Sequence, residues 1–206
     1  MASTASPYGL RAVNELGGLP YAGSTRSFLI DPAGYNTNIF NGSIVAINTS
    51  GYINIVTTNG DNSTPFPAGT IGVFVGCSFT NAQGQIIYSQ YYPANTASVQ
   101  GSAITAYVID DDRAVFQVQA NGSMAQTTLG MNVILSAVQS TSTGSTTTGN
   151  STTAVSASAA ATSGYAFRVV GFADTPGFSA VGDAFTDILV KFNPGAHSYS
   201  NATGVA

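Results

Sequence analysis

The sequence predicts an all-β fold: a single β-sandwich, jelly-roll or barrel-like domain. Three observations carry that expectation. Short runs rich in Val, Ile, Phe and Tyr recur along the 206 residues, separated by Gly, Asn and Pro. No segment shows a sustained helical period. The run 71–77, "IGVFVGC", is almost continuously apolar, which suits a strand buried on both faces.

The elements follow in order. "SIVAIN" (43–48) and "YINIVTT" (52–58) flank Thr49-Ser50-Gly51, a three-residue loop with Gly placed for a left-handed position. "TIGVFVGCSFT" (70–80) and "GQIIYSQYY" (84–92) flank Asn81-Ala82-Gln83 in the same way. "SAITAYVI" (102–109) and "AVFQVQA" (114–120) read as two arms of a hairpin, followed by "NVILSAV" (132–138). "YAFRVVGFA" (165–173) and "AFTDILVKF" (185–192) supply the last two strands.

Three regions fall outside this pattern. Residues 1–23, "MASTASPYGLRAVNELGGLPYAG", are rich in Gly and Pro and read as an irregular N-terminal arm ahead of a single domain at 24–206. Tyr8, Leu10, Leu16, Leu19 and Tyr21 are apolar there without strand alternation, and Arg11 is a prominent cation in a charge-poor chain. These six are the candidate interface residues. The second region is "DPAGYNTNIFNG" (31–42), a loop dense in turn residues. The third, 140–163, is built from Ser, Thr, Gly and Ala apart from Asn150 and Val155. Its Thr content and the Gly149-Asn150 dipeptide predict a polar hairpin insertion that projects from the domain and needs a neighbour to hold its register.

Composition narrows the function. Charged residues are only 7%, with one Lys, one Glu and one His, and the net charge is −4. No basic patch exists to neutralise phosphates, so no nucleic-acid partner is expected. No apolar stretch approaches a bilayer span, and the N-terminus lacks a signal-peptide pattern, so no membrane partner is expected either. A surface that is polar but uncharged suits a protein covered by neighbours, since interfaces are depleted in Lys and Glu.

Chemistry-bearing residues are sparse. Asp110, Asp111, Asp112 and Arg113 sit between two strands and read as a hydrated hairpin tip rather than a metal site. Cys77, the sole cysteine, lies in an apolar strand as a buried thiol. His197, the sole histidine, would have to build a catalytic triad on a tail. No catalytic, cofactor or metal residues are assigned, and no enzyme activity is expected.

Four stretches taken together resemble the head decoration, or capsid cement, proteins of tailed bacteriophages. They are "SPYGLRAVNELGGLPYAGSTR" (6–26), "IGVFVGCSFTNAQGQIIYSQYYPANT" (71–96), "DDDRAVFQVQA" (110–120) and "GDAFTDILVKFNPGAHSY" (182–199). The 140–163 tract is not part of that pattern. The resemblance implies a β-rich structural protein on the outer surface of the virion capsid, with the major capsid protein as partner. It also implies a homo-oligomer, a trimer first and a dimer second, and no catalysis. The competing readings are a phage tail or receptor-binding protein, or an extracellular carbohydrate-binding module that uses the tyrosines of "IIYSQYYPA" as a platform.

Overall fold

A computed structural model describes residues 4–99, 101–174 and 178–205. Two antiparallel sheets pack face to face as a β-sandwich, in agreement with the all-β expectation. One sheet runs β1 (Arg11–Glu15), β8 (Ala114–Gln119), β11 (Asp187–Phe192), β10 (Phe167–Phe172), β9 (Asn132–Val133). The other runs β2 (Arg26–Ile30), β7 (Ile104–Ile109), β5 (Thr70–Thr80), β3 (Ile44–Ile47), β4 (Ile53–Ile55), with β6 (Ile86–Ser89) also pairing with β5. We call these the β8 sheet and the β5 sheet.

The core between the sheets follows from strand alternation. Ala114, Phe116 and Val118 of β8, Ile188, Val190 and Phe192 of β11, and Phe167 and Val169 of β10 point inward and are buried. Phe192 sits at the centre, 4.8 Å from the ring of Phe167 and 5.8 Å from that of Phe116, the latter edge to face. A second core covers the opposite face of the β5 sheet, which explains the near-continuous apolar run in β5. Ile30, Ile71, Phe74 and Ile104 pack there beneath Ile39 and Tyr92. The 31–42 loop is therefore a lid on this second core, tied to Tyr92 by reciprocal backbone bonds from Ile39. Where β5 bends, Gly72 has φ +141°, and a Cβ there would stand 1.9 Å from the carbonyl oxygen of Ile109.

The two predicted hairpins with Gly-closed loops form as expected, β3 with β4 and β5 with β6. The third does not. β7 belongs to the β5 sheet and β8 to the β8 sheet, so residues 110–113 cross between the sheets. Each strand finds better-matched partners elsewhere: β7 lies between β2 and β5, and β8 between β1 and β11.

The N-terminal arm is also corrected. Residues 11–15 are a strand on the edge of the β8 sheet, and Leu10 is only 1% exposed in the main core. Capping β8 removes an edge of unpaired backbone groups. The strand escaped the sequence reading because its register shifts between Ala12 and Asn14, which breaks the alternation.

The 140–163 tract does not project. It runs along the seam between the sheets. Gly144 and Ser151 pair across a short turn, and Gly149 and Ser151 bond with Asn41 beside β3, the Asn41 amide donating to the Gly149 carbonyl and the Ser151 amide to the Asn41 carbonyl. Val155 bridges to Ala120 and Leu135, and Ala160 to Asn132. Ser151, Thr153 and Val155 are buried. The polar side chains can be buried because their hydrogen bonds are made. The Gln139 side chain accepts from the Ile44 amide at 2.9 Å and donates to the carbonyls of Ile44 and Val56 at 3.1 and 3.0 Å. Small residues let the backbone come close: the ring of Phe40 lies where a Cβ on Gly144 would stand.

These placements separate two leucines that the sequence treats alike. Leu10→Ala should cost about 2–5 kcal/mol, as buried leucines do, whereas Leu19→Ala should change stability by no more than about 0.5 kcal/mol. Urea unfolding of the two variants checks the contrast.

Candidate docking surface

The six predicted interface residues do not form one patch. Leu10 faces the core, as described. Arg11 is exposed and lies 4.8 Å above the ring of Tyr8. Tyr8 is half-buried as a whole but its hydroxyl is buried beside Asp187, and burial together with that carboxylate raises its pKa strongly. Tyr21 is half-buried, its hydroxyl donating to the carbonyl of Ser24. Leu10, Arg11 and Tyr21 line an open groove of about 420 Å³, with Val75, Gln90 and Asn150 on its other side.

Leu16 and Leu19 belong to a separate projecting loop. Glu15 donates its amide to the carbonyl of Leu19 at 2.8 Å, and Asn14 bridges to Pro20. This closes a tight turn at Gly17-Gly18 that leaves Leu19 61% exposed. So the structure brings Leu10, Arg11 and Tyr21 together and sets Leu16 and Leu19 apart.

Other exposed apolar groups lie outside the six candidate interface residues. Ile86 and Tyr88 of β6 are 66% and 76% exposed, and Phe178 is 78% exposed. The period-2 alternation of "IIYS" is a usable signal for the first two, since Ile86 and Tyr88 fall on one face of an edge strand. Phe178 had no such signal, because it lies outside any strand. The tyrosine stretch is not a flat platform. Tyr88 points out, Tyr91 stacks on Phe40 at 5.6 Å and Tyr92 is fully buried.

The aspartate turn is more built than a hydrated tip. Asp110 is buried, and its Oδ2 accepts from Arg26 at 2.9 Å and from the Tyr199 hydroxyl at 2.6 Å. Burial and this carboxylate push the Tyr199 hydroxyl up to about 12. Arg26 is largely exposed, so the pair adds little net stability and serves to fix β2 and the C-terminal segment against the turn. Asp111 keeps the expected turn role, accepting from the Arg113 amide at 2.8 Å. No group of three or more acidic, His or Cys residues among those described could hold a metal ion.

The remaining reactive side chains are structural. Burial pushes the Cys77 thiol up to about 12, which keeps it protonated at neutral pH. His197 is not on a free tail: it is buried against the edge of Phe192, and its Nδ1 accepts from the Tyr199 amide at 3.3 Å.

No family model, curated protein or solved structure matches this chain.

His197 gives a pH signature. Burial lowers its pKa from 6.5, against an opposing pull from the Ile71 backbone and the three aspartates. Below pH 6.5 the unfolded chain therefore takes up a proton that the folded chain resists, and stability falls as pH drops through that window. Burial raises the Asp187 pKa above 3.8, so its contribution is lost as pH rises through a lower window. That effect is common to wild type and a His197→Gln variant. The melting temperature should thus fall more between pH 7 and pH 5 in wild type than in His197→Gln, measured by thermal unfolding.

Proposed function

We propose that this protein is a structural head decoration, or cement, protein that binds the outer surface of a phage capsid and stabilises the shell. The observation that carries the reading is a surface nearly without charge that leaves Leu19, Ile86, Tyr88 and Phe178 open to solvent. Single exposed apolar residues are ordinary. Here they project from three separate places, the 15–20 loop, the edge strand β6 and the irregular segment at Phe178 ahead of β11, on a chain with 7% charged residues. Apolar contacts on such a surface face little competition from desolvating ionic groups. The resemblance of the four stretches to capsid cement proteins points the same way.

The partner is the major capsid protein, the location is the outside of the virion, and the protein acts as a homo-oligomer, a trimer in the first instance. The mechanism is mass action: a ligand that binds only the intact shell lowers the free energy of that shell and opposes its opening. No catalysis is involved. A carbohydrate-binding module is the weaker reading, because Tyr88 is the single well-exposed ring of its tyrosine stretch.

Particles carrying the protein should withstand higher temperature and osmotic shock than particles stripped of it. Few charges are available to be screened, so sodium chloride washes from low to molar concentration should remove little of it from heads. Equal heat survival of decorated and bare particles would overturn the stabilising role, and clean release at moderate salt would overturn the apolar mode of attachment.

A further inference from the structure

The five basic residues of this chain are not spread evenly. Arg168 on β10 and Lys191 on β11 are directly opposed across the strand pair, on the outer face of the β8 sheet. With Leu16, Val170, Asn193 and Pro194 they line an open groove of about 370 Å³. Arg113 joins them at the rim, its guanidinium donating to the Leu16 carbonyl at 3.4 Å while its own carbonyl accepts from the Leu16 amide at 2.8 Å. Three of the five cations thus gather around one groove.

Like charges directly opposed on a sheet repel each other. Nothing within the fold relieves this pair, for the one ion pair among the described residues is Arg26–Asp110, elsewhere. Arg168 is held by a neutral acceptor, with its Nε donating to the Asn132 side chain at 3.1 Å. The groove is a positive site in a chain of net charge −4, and no acidic side chain lines it.

The matching anion is on the same molecule but out of the groove. Asp110, Asp111 and Glu15 gather around Tyr21, whose hydroxyl pKa they help burial to raise. Asp112 stands beside them, exposed. Asp110 is neutralised by Arg26, which leaves Asp111 and Asp112 without a cation. This acidic corner adjoins the groove through the Arg113–Leu16 bonds, yet its carboxylates form no ion pair with Arg168 or Lys191.

We propose that the Leu16–Arg168–Lys191 groove is a self-recognition site that receives the Asp111–Asp112 turn of a second copy of this chain. Each copy offers a turn and takes one, a head-to-tail contact that closes into a ring when the rotation between copies brings the last turn to the first groove. Leu16 and Val170 add apolar contact around the ion pairs, and entry of the turn relieves the Arg168–Lys191 repulsion. The proposal rests on the oligomeric part of the function proposed above and names the contact that makes the oligomer.

A charge-swap experiment tests it. Lys191→Glu places a carboxylate in the groove against the incoming turn, and Asp112→Lys places a cation on the turn against Arg168 and Lys191. Each variant alone should self-associate at least about tenfold more weakly than wild type in sedimentation equilibrium at low salt, the scale of one close ion pair at an interface. The double variant Lys191→Glu/Asp112→Lys should associate again, because the lysine turn of each copy now faces the glutamate groove of the next, whatever the number of copies. Restoration in the double variant also shows that neither substitution prevents folding. Wild-type association should weaken in high salt, unlike attachment to heads. A wild type that stays monomeric at low salt, or single variants that associate as wild type does, or a double variant that fails to recover, would overturn the proposal. Co-sedimentation of the same samples with undecorated heads separates the two claims: head binding without self-association leaves the function standing and removes this contact, and self-association without head binding does the reverse.

Discussion

The seam between the two sheets depends on one amide. Gln139 is buried at the point where the 140–163 tract enters, and its side chain satisfies both backbone groups of Ile44 and the carbonyl of Val56. The Thr153 hydroxyl donates a longer bond, 3.4 Å, to the Gln139 side-chain oxygen. These bonds fix the tract to the β5 sheet at one end, while Val155 and Ala160 fix it to the β8 sheet at the other. Without them, the inner strands would open onto water along one side. A fully satisfied polar network of this kind specifies one arrangement, because any slip leaves buried amides unpaired. The tract can therefore be poor in apolar residues and still act as part of the core.

That arrangement explains what was legible in the sequence and what was not. Hairpins closed by Gly51 and Gly84 were readable because loop chemistry and register are local. The double burial of β5 was readable from its unbroken apolar run. Which sheet each strand joins is set by long-range pairing, so the crossing at 110–113 looked like a hairpin turn until β7 and β8 were seen in different sheets. In the 140–163 tract, composition spoke for exposure. Its burial is decided by Gln139 and Asn41, far away in sequence from their partners. Of the candidate interface residues, Leu10 was misassigned because the strand that begins at Arg11 carries a register shift. The Arg168–Lys191 pair had no local signal at all, since cross-strand opposition exists only once β10 and β11 are in register.

The same economy of charge shapes both structure and proposed role. A chain with so few ionic groups holds its surface with Ser, Thr, Asn and Gln, and those side chains are consumed by turns and by the seam. What remains exposed is a mixture of small polar groups and isolated large apolar ones, which suits broad, salt-insensitive attachment to another protein surface. Several of the few charges that do occur, Glu15, Asp110 to Asp112, Arg113 and the Arg168–Lys191 pair, gather around the end of β1 and the start of β8, while Asp31, Asp61, Asp174, Asp183 and Asp187 lie elsewhere. On this account apolar contact gives adhesion to the shell and the charged end gives recognition between copies.

The stoichiometry of this chain relative to the major capsid protein in purified particles tests the central claim most directly. A structural component of the shell should be present at a fixed ratio set by capsid symmetry, unchanged from one preparation to the next and through salt washing. Trace or variable amounts in purified particles, with the protein abundant in the lysate from which they came, would contradict the account.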